Sequence, residues 1–96
     1  VILMSRPLSE KVIDSLSIQN PEALFCDGLN EALIGWCFRA TKPEVAVYDH
    51  DKCLEIFMER DGMDLDEAME HLHYNVIGAW VGENTPVFMV RCEELP

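Results

Sequence analysis

Basic side chains are scarce in this chain: seven Lys and Arg stand against eighteen Asp and Glu, for a net charge of −11. Such a field repels phosphate backbones and anionic membrane surfaces, and favours solubility or a basic partner. Neither direct nucleic-acid binding nor membrane binding is expected. Long apolar runs are missing too, and nothing approaches the roughly 20 residues needed to cross a bilayer. The opening Val1-Ile2-Leu3-Met4 is too short for a signal-peptide core. Because Ser5-Arg6-Pro7 reads like a protein beginning, Met4 is the expected natural start, with residues 1–3 a remnant.

Paired cysteine motifs are absent as well. The four cysteines, Cys26, Cys37, Cys53 and Cys92, include no Cys-x-x-Cys, so neither a zinc ribbon nor a thioredoxin-type site is indicated. With no secretory segment, free thiols in a reducing cytoplasm are the expectation. Residues such as Phe25, Trp36, Phe38 and Leu54 surround them in sequence, where a thiol behaves as a small buried hydrophobe. No Gly-rich loop cradles phosphate, no serine sits in a nucleophile elbow, and no cysteine has an evident activating partner. No cofactor or metal is therefore expected.

What is present describes one small domain. Ninety-six residues support a single core, and 49% apolar with 26% charged residues is ordinary globular composition. Leu8, Val12, Ile13 and Leu16 recur at helical spacing behind Pro7, predicting a helix over 7–17 that ends before Asn20-Pro21. Residues 23–26 and 32–38 flank Asp27-Gly28 and read as two strands of a hairpin. On the second, Ala32, Ile34, Trp36 and Phe38 share one face, while Leu33, Gly35, Cys37 and Arg39 share the other. Residues 45–48 predict a third strand.

Asp49 is placed to cap a second helix with an apolar stripe of Cys53, Leu54, Phe57 and Met58, stopped at Asp61-Gly62. Asp64 and Glu67 form a capping-box variant opening a third helix. Its stripe would be Leu65, Ala68, Met69, Leu72, Val76 and Trp80, although 76–81 reads equally as helix or strand. Residues 87–90 close the chain as a strand after a turn at 82–86. The order α-β-β-β-α-α-β implies a single α+β domain over 1–96, with a mostly antiparallel sheet of three to four strands packed by two to three helices.

Candidate sites are few. His71 and His73 lie two apart, about 200° around a helix of 3.6 residues per turn, and cannot clamp one ion. His71 is expected toward solvent and His73 at the edge of the core stripe. Asp49-His50-Asp51, with Asp27 from the hairpin turn, could gather carboxylates around a metal or polar substrate. Helix capping by Asp49 and the helix dipole for Asp51 explain the same acids more simply. Glu83-Asn84-Thr85 is accounted for by turn chemistry.

The acid distribution says more. Nine of the eighteen acids fall between residues 49 and 70, against only Lys52 and Arg60. Asp51, Glu55 and Glu59 stand four apart on the second helix, and Asp66 and Glu70 repeat the spacing on the third. Like charges so spaced cost about 0.2–0.5 kcal/mol per pair. They form either a solvated face or a docking surface for a basic partner protein, as a nucleic-acid mimic would present. A second surface is suggested by Tyr74, Ile77 and Val81, which project opposite the third helix's stripe, with Gly78 permitting close backbone approach. Either that segment crosses the domain centre or it packs on a second copy.

The strings DGLNEALIGW, VAVYDHDKCLEIFMERDGM and EAMEHLHYNVIGAWVGENTPVF carry a resemblance. They are similar to a family of small uncharacterised phage and bacterial proteins sharing DGF-x-x-A-x-x-G, YD-x-x-K, DGM-x-x-x-EA and N-x-x-GA-x-x-GE-x-TP. The resemblance spans residues 22–90, with Leu29 standing where an aromatic is expected. It implies mobile-element origin and a cytoplasmic location, and carries over no catalytic residue. The expected function is that of a non-enzymatic accessory protein binding a basic host or phage protein. A small metal- or ligand-binding enzyme built on Asp27, Asp49 and Asp51, and an oligomeric assembly protein, are the alternatives.

Overall fold

The computed structural model describes residues 7–92, so the expectation about Met4 and the first three residues lies outside them. The fold is α+β. Helix α1 (Leu8–Gln19) starts at Pro7, whose carbonyl accepts the N–H groups of Glu10 and Lys11. It buries Val12 and Leu16 and lies on the sheet. The helix runs two residues past the predicted end and stops at Asn20, as the following proline requires.

Asn20 is a buried polar residue with every group engaged. Its Nδ2 donates to the Glu44 carbonyl at 2.8 Å and to Asn84 Oδ1 at 2.9 Å, while its Oδ1 accepts the Glu22 N–H at 3.1 Å. One side chain thereby ties the end of α1 to the sheet and to the 82–86 turn. Full satisfaction offsets the desolvation that an unpaired amide would cost.

Strands β1 (Leu33–Arg39) and β2 (Lys42–Asp49) form an antiparallel hairpin, and β3 (Val87–Met89) adds to β2 in parallel, in the order β1-β2-β3. The parallel pairing follows from connectivity, since the 50–86 segment between β2 and β3 is a helical crossover. The sheet is therefore mixed.

Two strand expectations are corrected. Residues 23–26 are not a strand. Their backbone is claimed elsewhere, with the Cys26 N–H donating to Tyr48 Oη at 2.8 Å and the Leu24 N–H to the Asn84 carbonyl at 3.3 Å. Gly28 does take a positive φ of 77°, but its turn leads into a 3-10 turn (Asn30–Ala32) rather than a ladder. The hairpin instead turns at Ala40-Thr41, where Thr41 holds φ 61°. Register irregularities between Leu33 and Gly35 and between Cys37 and Arg39 also break the clean alternation of faces on β1. Ala32 and Leu33 are both buried, and Phe38 is 75% exposed.

Helix α2 (His50–Asp61) has the expected ends. Asp49 accepts the Lys52 N–H, and Gly62 closes the helix in the left-handed region at φ 69°. Its buried face is Cys53, Leu54, Ile56 and Phe57, while Met58 is exposed. Helix α3 (Leu65–His71) opens on the predicted capping box: Asp64 Oδ1 accepts from Glu67 N at 2.8 Å, and Glu67 Oε1 from Asp64 N at 3.2 Å.

At Leu72 the helix widens into a π-helical turn (Leu72–Ile77). The predicted stripe holds only in part: Ala68 and Leu72 are buried and Val76 is half-buried, but Leu65 and Met69 are exposed already on the regular helix, and Trp80 is exposed beyond the π turn. The buried line passes through Ala68 and Leu72 alone. Residues 79–81 are neither helix nor strand. The main core joins the helices to β1 and β2 through Leu16, Leu33, Tyr48, Cys53, Phe57, Ala68 and Leu72, and Phe88 of β3 packs against it. Among the described residues no helix is long and apolar enough to cross a membrane.

Candidate functional site

The main concavity is an apolar cleft of about 630 Å³. Leu24, Phe25 and Leu29 come from the loop after α1, Phe57 from α2, Val76 from the π turn, and Phe88 from β3. The 79–86 segment adds Ala79, Val81, Thr85 and Pro86. Its own turn is pinned by Thr85, whose Oγ1 accepts the Val81 N–H at 3.1 Å and donates to the Gly82 carbonyl at 2.7 Å. The π turn forms part of the cleft wall, a place where such widened turns recur in proteins.

Polar groups sit at the cleft's edge in fixed positions. Arg60 donates to both carboxylate oxygens of Asp61, at 3.0 and 2.9 Å, and its Nη1 donates to the Gly28 carbonyl at 2.6 Å. The adjacent guanidinium holds the Asp61 carboxyl below its ordinary range. The His71 ring stands edge-on to Phe57 with centroids 4.8 Å apart, and Asn75 Nδ2 lies 3.2 Å from His71 Nδ1. His71 is thus half-buried, not turned to solvent as expected. With the buried line through Ala68 and Leu72, residue 71 lies one helical step from it and faces inward.

Two smaller depressions each share lining residues with the cleft. One, of about 420 Å³, is formed by Gly28, Asn30, Glu31, Ile56, Glu59 and Arg60; the guanidinium is common to it and the cleft. The other, of about 410 Å³, is formed by Met63, Glu67, Glu70, His71, Tyr74 and Asn75, and shares His71 and Asn75 with the cleft. An apolar centre is thereby joined to two acid-lined hollows, to one through Arg60 and to the other through His71 and Asn75.

The acids expected to act together are distributed unevenly. Asp51, Glu55, Glu59, Asp66 and Glu70 are all exposed on α2 and α3. Asp51 lies 2.9 Å from His50 Nδ1 and Glu55 pairs with Lys52 at 3.2 Å, whereas Glu59 and Glu70 line the two hollows. The grouping of Asp27, Asp49 and Asp51 is not assembled. Asp27 lines the cleft, while Asp49 spends one oxygen on its helix cap and the other on Arg91 at 3.1 Å. Among the described residues no three His, Cys, Asp or Glu side chains are placed to hold a metal ion.

The apolar segment divides in the same way. Tyr74 and Val81 are exposed, at 76% and 63%, and so is Trp80, whereas Ile77 packs against the core. Gly78 answers to its own turn: a Cβ there would lie 2.9 Å from the His73 carbonyl oxygen and 3.1 Å from that of Tyr74. The cysteines are free thiols, and Cys92 is exposed rather than among apolar neighbours. Burial pushes Cys26 up and Cys53 up to about 12, so both stay protonated and unreactive at neutral pH.

One juxtaposition was not anticipated. His73 is exposed, and its Nε2 lies 2.8 Å from Nε2 of His50 at the start of α2. The available signal was topological: α2 and α3 form a helical hairpin about the 62–64 connection, so residues on either side of it meet. No family model, curated protein or solved structure matches this chain. The site's chemistry therefore rests on its own geometry.

Proposed function

We propose that this chain is a non-enzymatic binding protein that takes a basic segment of a partner protein into the cleft. The observation that carries this reading is the run of concavities: an apolar centre walled by Phe25, Phe57, Val76 and Phe88, with Glu31 and Glu59 in one hollow joined to it and Glu67 and Glu70 in the other. A segment with one bulky apolar side chain between Lys or Arg residues is complementary to that sequence of surfaces. The net charge of −11 would speed its encounter. Glu59 and Glu70 thereby become contact residues, while Asp51, Glu55 and Asp66 contribute at longer range.

Several positions of the phage and bacterial resemblance, Asp27, Asp61, Asn75, Ala79, Thr85 and Pro86, line the same cleft. That supports an accessory role in a phage or mobile element, with a host or phage protein as the basic partner. Fluorescence anisotropy with a labelled Lys-Lys-Trp-Lys-Lys peptide tests the reading. Binding is expected to weaken at least tenfold in Glu59→Lys/Glu70→Lys and in Ala79→Phe, which fills the cleft. A peptide with Glu for Lys, or Ser for Trp, that binds equally well would overturn it.

A second reading, self-association, is favoured by the exposure of Tyr74, Trp80 and Val81 on one short stretch. Sedimentation would then give a dimer that Tyr74→Ser/Val81→Ser dissociates. A monomer at all concentrations excludes it.

A further inference from the structure

We infer that His50 and His73 form a binding site for a borderline divalent transition ion, Zn²⁺ foremost, at the open end of the α2–α3 hairpin. Neither residue lines the cleft, so the site is independent of the peptide reading. The two rings come from different elements, the first turn of α2 and the π turn, and bring Nε2 to Nε2 at 2.8 Å. Two imidazoles bound to one Zn²⁺ at about 2.0–2.1 Å place their nitrogens about 2.9–3.4 Å apart for angles of 90–110°. To admit an ion the nitrogens need to separate by only a few tenths of an ångström, and each ring to swing its Nε2 lone pair off the Nε2–Nε2 line. Exposed His73 is free of close packing on its outer side and can supply that movement.

The protonation pattern suits a ligand pair. Asp51 Oδ1 lies 2.9 Å from His50 Nδ1, so the carboxylate fixes the His50 proton on that nitrogen and leaves the Nε2 lone pair facing His73. This is the carboxylate–histidine–metal arrangement that orients metal-bound imidazoles and raises their basicity. In the metal-free pair His73 donates its Nε2 proton to His50. On metal uptake that proton moves through solvent to His73 Nδ1, leaving two lone pairs for the ion with no net change in protons.

His50 is held with only 12% of its side chain exposed while His73 is open, so water can complete the coordination sphere. Imidazole nitrogens select Zn²⁺, Ni²⁺ and Co²⁺ over the hard cations that prefer oxygen. The negative field of the chain lowers the cost of bringing a dication to this surface.

The test uses the whole chain carrying Cys92→Ser, which removes the exposed thiol as a competing ligand. Calorimetric titration with Zn²⁺ and Ni²⁺ is expected to give a saturable site, with Mg²⁺ giving none. Affinity should fall at least tenfold in His50→Ala and in His73→Ala, fall about 10-fold or more in Asp51→Asn, and stay unchanged in His71→Ala. Should a histidine variant fail to fold, imidazole ¹⁵N spectra of the parent serve instead, with metal-induced shifts expected on Nε2 of His50 and on both ring nitrogens of His73, and none on His71. Absence of saturable binding, or metal-induced shifts confined to His71, overturns the assignment.

Discussion

The sheet side of the molecule and its helical hairpin handle polar groups in opposite ways. Around α1, β1 and β2 two polar side chains are turned inward and closed: Asn20 is buried with three partners, and Tyr48, wholly buried, accepts from Cys26 N–H while its ring stacks on Phe88 at 5.5 Å. From Asp51 through Glu70 the chain instead exposes eight of its eighteen acids, and beyond them Tyr74, Trp80 and Val81. The contrast separates a part whose polar groups close within the fold from a part that, under the proposed function, is left open for contact. Surfaces that recognise partners are drawn from regions with fewer buried contacts.

The largest effects should come from the buried leucines on the two sides. Leu16 in α1 and Leu72 at the π turn are both fully buried. Leu16→Ala and Leu72→Ala should each cost about 2–5 kcal/mol in urea unfolding. They differ in what else they disturb. Leu72→Ala should loosen the π turn and lower peptide affinity even where the protein remains folded, whereas Leu16→Ala should leave affinity unchanged in the folded fraction. Equal loss of binding in both would erase the division.

Gly78→Ala is expected next, at about 1–3 kcal/mol, because the added methyl meets two backbone carbonyls that cannot step aside as side chains do. Hydrogen exchange should place its effect in residues 72–81 and spare β1 and β2. Exchange accelerated evenly over the whole chain would instead indicate one cooperative unit.

The same division explains which parts could be read from residue order. Caps carry local chemistry, so Asp49, Asp64 with Glu67, and Gly62 all stand where their side chains or φ angles predict. The α+β class followed from counting elements. The hairpin turn was missed because Ala40-Thr41 lacks the Gly or Asn that marks such turns, while Asp27-Gly28 has that mark and serves a different turn. The π turn has no periodicity of its own, so the stripe was extended to Trp80 past the point where the helix changes pitch. The cleft was invisible for a further reason. Its walls come from five separate stretches, and only tertiary folding brings Phe25, Phe57 and Phe88 together.

A smaller change should act in the stabilising direction. Thr41 holds φ 61° with a β-branched side chain, a conformation that costs an L-residue roughly 1–2 kcal/mol. Thr41→Gly removes that strain at some expense in unfolded-state entropy. The expected net gain is about 0.5–1 kcal/mol, read as a raised urea midpoint with no change in peptide affinity. A loss of stability would mean that the threonine side chain contributes more than its backbone costs.

The smallest effects should be the two exposed carboxylates, one on each side of the division. Arg60 lowers Asp61 at the cleft edge, and Lys42 lowers Glu83, which ties the 82–86 turn to the β1–β2 hairpin at 2.9 Å. Because each folded-state pKa lies below the unfolded value, each contributes stability above the ordinary carboxylate range and loses it as pH falls through the folded value. Solvent screening keeps both contributions slight. Asp61→Asn and Glu83→Gln should therefore flatten the acid limb of a urea-midpoint profile below about pH 5 without altering its neutral plateau much. Only Asp61→Asn should also weaken the pH dependence of peptide binding, since Asp61 lines the cleft and Glu83 does not. If Glu83→Gln changes binding as strongly, the 82–86 turn belongs to the contact side of the molecule and the boundary must be redrawn through Asn20.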